Sequence, residues 1–255
     1  MSGMYFSGYD RALTVFSPDG RLYQVEYAME PVRKGWTTVG VRVNEGVAMV
    51  AEKKSASPLV DVSATEKIMF IDRHVAASYA GISSDARILV DQARIFAQAH
   101  RITYDEEADV ESITRKIGDT LQAYTQHGGV RPFGVALLVG GVSQGTPALF
   151  LTDSSGAYSG YKATAIGMFD QAINDYLREY YSPTQTVEEA ALLALRAMLK
   201  AQSEAQQTPV VLDPEKLEVG FARQSTRLFV RLSKADVSTL LDKIQEGSPN
   251  MEEKK

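Results

Sequence analysis

The residues whose types could do chemistry are few and far apart. Thr37 and Thr38 stand side by side. A threonine hydroxyl becomes a competent nucleophile when its own free α-amine acts as base, which requires it to be the first residue of the mature chain. Neither holds that position here, so the pair reads as β-branched residues opening a strand, unless processing frees one of them. The histidines, His74, His100 and His127, are widely separated and form no His-x-x-x-His pair with nearby acids, so they outline no metal site. Gly128-Gly129 and Gly140-Gly141 match neither the dinucleotide fingerprint nor the phosphate loop, both of which need set glycine spacing to aim backbone amides at phosphate. They read as turn residues. No Gly-x-Ser-x-Gly elbow presents a serine. The chain has no cysteine, which removes disulfides, thiolate ligands and a thiol nucleophile together. The residues themselves offer no catalytic group, no metal site and no cofactor.

Composition narrows the rest. The 255 residues hold 27 Lys+Arg against 32 Asp+Glu, a net charge of −5. An isoelectric point near 5.4 argues against coating nucleic acid, which needs a concentrated basic surface. Hydrophobic content of 44 % and charged content of 23 % are ordinary for a folded globular chain. The longest near-apolar run, Phe133 to Val142, is interrupted by glycines and covers about half of the roughly 20 residues a membrane helix needs. The N-terminus has no basic segment followed by an apolar one, so no secretory signal is read, and a cytoplasmic location is expected.

These residues must be positioned by elements that the periodicity reveals. Ser17-Pro18-Asp19-Gly20 reads as a turn. Leu22, Val25, Met29 and Val32 then recur on one helical face, predicting a helix over about 20–34 that Gly35 stops and Pro31 kinks. Thr37–Val43 and Val47–Lys53 form a hairpin around Asn44-Glu45-Gly46, and Lys67–Ile71 with Val75–Ala80 form a second. Two helices follow, from near Ser83 and from near Asp109, the second ending at Gly128-Gly129. Strands are then expected at Val135–Val142, Ala148–Thr152 and Ala157–Lys162, helices at Phe169–Tyr181 and Val187–Gln202, strands at Lys216–Ala222 and Arg227–Leu232, and a last helix at Ser233–Gln245. Residues 247–255 read as a frayed polar tail. Hairpins, two helices, hairpins, two helices is not the alternation of a parallel sheet. It predicts a single α+β domain over 13–246, with two stacked antiparallel sheets covered by helices.

At this point the residues carry a resemblance. Tyr9-Asp10-Arg11, the run Thr14 to Ala28, and Gly35-Trp36-Thr37-Thr38-Val39-Gly40 resemble the signature of proteasome α subunits, most closely the archaeal form. Glu66-Lys67-Ile68, Tyr79-Ala80-Gly81, Asp85-Ala86-Arg87, Gly128 to Pro132 and Tyr161 to Gly167 agree with it. The resemblance implies the N-terminal-nucleophile hydrolase fold, a four-layer αββα sandwich. It also implies seven-membered α rings that cap catalytic β rings, admit unfolded protein and receive the C-terminal tails of a regulatory ATPase ring. Aligned with the catalytic strand of β subunits, Trp36 falls at the nucleophile's position, so the fold is expected without the active site.

The resemblance further assigns roles by position. Residues 1–12 become a mobile gate segment, with Tyr9, Asp10, Pro18 and Tyr27 clustering when it opens. Leu22, Gly35, Lys67 and Gly81 become the pocket for an activator tail, Lys67 supplying the cation for its carboxylate. His127, Gly128 and Gly129, in the loop that runs to Pro132, become the annulus of the entrance. Leu22, Val25, Met29 and Val32 become the contact between ring neighbours. Departures from the family pattern stand at Pro31, Trp36 and His127. An active threonine protease of the same fold and a free-standing peptide-binding module remain the alternatives.

Overall fold

The computed structural model of the chain describes residues 14–53, 57 and 59–246. Tyr9, Asp10 and the tail 247–255 therefore lie outside the described residues. Two short helices, α1 (Tyr23–Ala28) and α2 (Glu30–Arg33), precede the hairpins β1 (Thr38–Val43) with β2 (Gly46–Glu52) and β3 (Ile68–Asp72) with β4 (Val75–Gly81). Helices α3 (Ser83–Tyr104) and α4 (Val110–Gln126) follow. Then come β5 (Val135–Ser143), β6 (Thr146–Thr152), β7 (Tyr158–Gly160) and β8 (Ala163–Ile166). Helices α5 (Asp170–Tyr180) and α6 (Val187–Gln206), strands β9 (Leu217–Arg223) and β10 (Phe229–Arg231), and helix α7 (Lys234–Glu246) complete the order.

The strands form two five-stranded sheets, β10-β9-β2-β1-β8 and β3-β4-β5-β6-β7. Every neighbouring pair is antiparallel. Successive side chains of a strand face opposite sides, and here both sides are buried. In β2, Ala48 and Val50 face α5, α6 and α7, while Val47, Met49 and Ala51 face the other sheet. In β5, Val135, Leu137 and Val139 face α3 and α4, while Ala136, Leu138 and Val142 face inward. Three apolar layers thus separate helices, sheet, sheet and helices, the αββα sandwich expected from the element order. A one-residue slip in β2 or β5 would exchange two cores at once, so the register is firmly set.

Two elements differ from the sequence reading. The helix expected over about 20–34 is divided at Met29 into α1 and α2. Pro31 lies in the first turn of α2, where its missing N–H is an orphan donor in any case, so the break falls on the residues before it. The run Tyr161 to Gly167 contains β8, which leaves the sheet of β7 and pairs with β1 in the other.

One buried charge joins the sheets. The Glu218 carboxylate on β9 accepts the N–H groups of Lys67 and Ile68 at 2.9 and 2.7 Å, which fixes the start of β3. It also pairs with Lys53 Nζ at 3.0 Å, each side chain only 7 % exposed. Side chains cover part of two outer strands, β3 and β8. Arg231 and Arg94 donate to the carbonyls of Ile68 and Phe70 on β3, and Asn174 Oδ1 accepts the Ala165 N–H of β8. Glu218→Ala strands two N–H donors and leaves the Lys53 ammonium with only the Val62 and Thr65 carbonyls, at 3.2 and 3.1 Å, a loss of about 3–5 kcal/mol for a broken buried pair. Urea unfolding of the isolated chain should show it, and a loss under about 1 kcal/mol would mean the carboxylate is dispensable.

Candidate functional site

Of the residues expected to receive an activator tail, Gly35 and Gly81 meet at one end of the sandwich, where α2 packs on β4 and β5. Gly35 follows α2, and a Cβ there would collide with the Gly81 nitrogen. Gly81 ends β4 at φ +111, a region L side chains avoid, and a Cβ on it would collide with the Gly134 carbonyl oxygen. Both glycines are thus required by backbone packing inside this chain, not by a ligand's approach. Lys67 lies across from Tyr79, and its Nζ sits 3.9 Å above the Tyr79 ring. It is 4 % exposed. Burial pushes its ammonium down to about 8, against the opposing pull of Glu218 and Glu52, so it remains a cation at neutral pH. Leu22 is half-buried and precedes α1.

Thr37 and Thr38 are both fully buried. Thr37 Oγ1 donates to the Met168 carbonyl at 2.7 Å, and Thr38 Oγ1 is within 3.1 Å of Ser78 Oγ and 3.2 Å of the Tyr79 carbonyl. The chain before them is part of the fold. Met168 N–H donates to the Gly35 carbonyl at 2.8 Å, and Ser154 Oγ approaches the Ala28 carbonyl at 3.4 Å. Cleavage ahead of Thr37 would discard a packed segment, so Thr37, just before β1, and Thr38, its first residue, carry structural hydroxyls.

The loop expected to ring an entrance leaves α4 at His127. His127 is exposed, with Nδ1 2.6 Å from the Ala123 carbonyl. Cβ atoms on Gly128 and Gly129 would meet open space, and Gly129 has φ +87. The far side of the loop is held tightly. Arg131 makes two bonds of 2.7 and 2.8 Å to Asp85 in the first turn of α3, and Asp85 also accepts the Gly134 N–H at 2.9 Å. Burial disfavours the Asp85 charge, but the Arg131 guanidinium and the Gly134 N–H outweigh it and hold the carboxyl below its ordinary value.

The residues expected at the ring contact are covered to different degrees within the chain itself. Val25 is buried and Val32 packs on the core between the sheets, while Leu22 and Met29 are half-buried. Most of that face is covered by its own chain, because α2 lies over β4 and β5. Among the described residues of this N-terminal segment, Val15, Phe16 and Tyr27 are exposed, at 45 %, 64 % and 52 %. Ser17 to Gly20 forms the expected turn, with Pro18 exposed and Gly20 N–H donating to the Ser17 carbonyl at 2.8 Å.

Residues 32–213 match the family described as proteasome subunit. The chain belongs to that family. Residues 9–30 match the N-terminal signature of its A-type members, which marks an α-type, non-catalytic member within it. Among its relatives, the proteasome alpha subunit of Saccharolobus islandicus is 44 % identical over 237 residues, 93 % of this chain and 97 % of that protein. Those of Saccharolobus solfataricus and Metallosphaera sedula are 44 % and 47 % identical over the same extent. A member of the proteasome family works within a larger assembly, which removes the free-standing module from consideration.

Sequence reasoning missed a second surface. Ile88, Ile95 and Ile102 of α3 are 40 %, 70 % and 86 % exposed. Their seven-residue spacing, off the inward positions Ala86, Leu89 and Ala93, is legible once that inward face is fixed. Lys67 yields a test of the site's electrostatics. Between about 8 and its ordinary 10.5 the unfolded chain binds a proton that the folded chain has released, so stability rises with pH across that window. Unfolding free energy from denaturant titrations should climb there by up to about 3 kcal/mol in the isolated chain and lose that increment in Lys67→Met. An identical pH profile in both proteins would place the ammonium in water.

Proposed function

We propose that this chain forms the outer, non-catalytic seven-membered ring of a proteasome core, admits unfolded protein through a gated entrance, and docks a regulatory ATPase by its tails. The observation that carries the reading is the built-in segment ahead of Thr37. A threonine at the end of a free chain could be a nucleophile, whereas here Gly35 and Trp36 are tied to β4 and to the loop before α5. The same segment leaves Val15, Phe16 and Tyr27 exposed, an apolar patch suited to a neighbour in the ring. The Ile88–Ile95–Ile102 stripe on α3 offers a separate face for the catalytic β subunits.

The gate reading rests on residues 1–12, with Tyr9 and Asp10 joining Pro18 and Tyr27 in the open form. The loop of His127, Gly128 and Gly129 suits the annulus because glycines in open space narrow a passage least. Deleting residues 2–12 should raise cleavage of peptides and unstructured proteins by a core assembled with β subunits. An unchanged rate would remove the gate.

Tail docking calls on Leu22, Gly35, Lys67 and Gly81. Since Lys67 lies over the Tyr79 ring, an incoming carboxylate must draw the ammonium off that ring or displace the ring itself. The cation is the binding form, so docking should weaken as pH rises above about 8. A charge-assisted bond is worth roughly 1.5–3 kcal/mol, and several tails share one ring, so Lys67→Met should abolish ATPase-stimulated degradation. Basal cleavage of small peptides should persist. Full stimulation in an assembled Lys67→Met core would place the carboxylate elsewhere.

A further inference from the structure

The entrance loop has one free side and one anchored side. Gly128 and Gly129 touch nothing that a Cβ would meet, whereas Arg131, three residues from Gly128, is fixed by a two-pronged ion pair to Asp85. The Asp85 side chain is 8 % exposed, that of Arg131 61 %, so the anchor is buried and the loop hangs from it. Beyond the pair the backbone is stitched again. Gly134 N–H donates to Asp85 at 2.9 Å, Ile82 N–H donates to the Gly134 carbonyl at 2.9 Å, and Arg131 also donates to the Pro132 carbonyl at 3.0 Å. Both loop ends therefore meet rigid helices: α4 supplies His127, and the first turn of α3 supplies Asp85.

We propose that Asp85 is a positioning residue for substrate passage: through Arg131 it holds the loop His127–Pro132 back from the entrance. This rests on the reading that the loop lines the entrance. A glycine-containing loop keeps its shape only through its anchors, and a planar guanidinium gripping both carboxylate oxygens fixes orientation as well as distance. A lysine can supply the charge but not that fork. Without the clamp the loop from each protomer sags into the passage, where it obstructs a polypeptide more than a tripeptide.

The absence of cysteine from the sequence makes the test direct. A nitroxide on His127→Cys in the full-length chain, assembled with β subunits, reports loop motion. Asp85→Asn should sharpen the nitroxide spectrum and slow cleavage of an unfolded protein severalfold while leaving tripeptide cleavage unchanged. Arg131→Lys should fall between wild type and Asp85→Asn on both measures. Arg131→Gln breaks the same pair from its exposed side and replaces Asp85→Asn if that variant does not assemble. Gly129→Trp provides the separate check on loop location. If Gly129→Trp slows the unfolded protein selectively but Asp85→Asn and Arg131→Gln change neither spectrum nor selectivity, the clamp is refuted. If Gly129→Trp slows neither substrate selectively, the loop does not line the entrance, and the role of Asp85 in passage falls with it.

Discussion

A single buried carboxylate sets the relation of the two sheets. Glu218 stands between them, and its oxygens are claimed by Lys53 and by the N–H groups of Lys67 and Ile68, where β3 begins. A charge in that position is tolerated only with every partner in place, so it penalises any arrangement in which β3 starts elsewhere. The consequences run outward along the chain. With β3 fixed, Lys67 falls opposite Tyr79, β4 ends at Gly81, and Gly81 receives Gly35 on one side and Gly134 on the other. The site of interest is thus the far end of a sequence of constraints that begins in the core.

Threonine hydroxyls at the start of a strand do not make this chain a protease: Trp36 stands where the nucleophile is expected, and the threonines after it are internal residues. The hydroxyls of Thr37 and Thr38 are each occupied in holding strands and loops together. What is missing is a terminal amine, because Trp36 continues into a packed segment. A β-branched residue at a strand's start serves equally as wall or as nucleophile, and the residue before it decides which.

Much of this is legible in the sequence. The strand pairs, the long helices and the sandwich follow from period-two and period-3.6 patterns, and turn chemistry locates the hairpins. The pattern overextends the N-terminal helix because Leu22, Val25, Met29 and Val32 keep helical spacing across the break at Met29, ahead of Pro31. The same spacing cannot say whether an apolar face is covered by its own sheet or by a neighbour, and Val25 is buried within its own chain. Strand β8 is hidden because four residues carry little periodicity and their partner, β1, lies far back in the chain. Lys67 is recognisable by motif, but its burial over Tyr79 and the opposing pull of Glu218 on its charge join residues that no local pattern brings together. The Arg131–Asp85 pair is separated by 46 positions and is invisible for the same reason.

The partly covered edges of β3 and β8 bear on how such a chain behaves before it meets its partners. An uncovered strand edge invites other chains to add to it without limit, and a protein that must accumulate in many copies is exposed to that hazard. Here guanidinium groups of Arg94 and Arg231 occupy the outward carbonyls of β3, and the Asn174 amide occupies an outward N–H of β8. These plugs make strand-to-strand aggregation unfavourable at the edges they cover. Newly made copies can therefore wait at high concentration without polymerising through those edges.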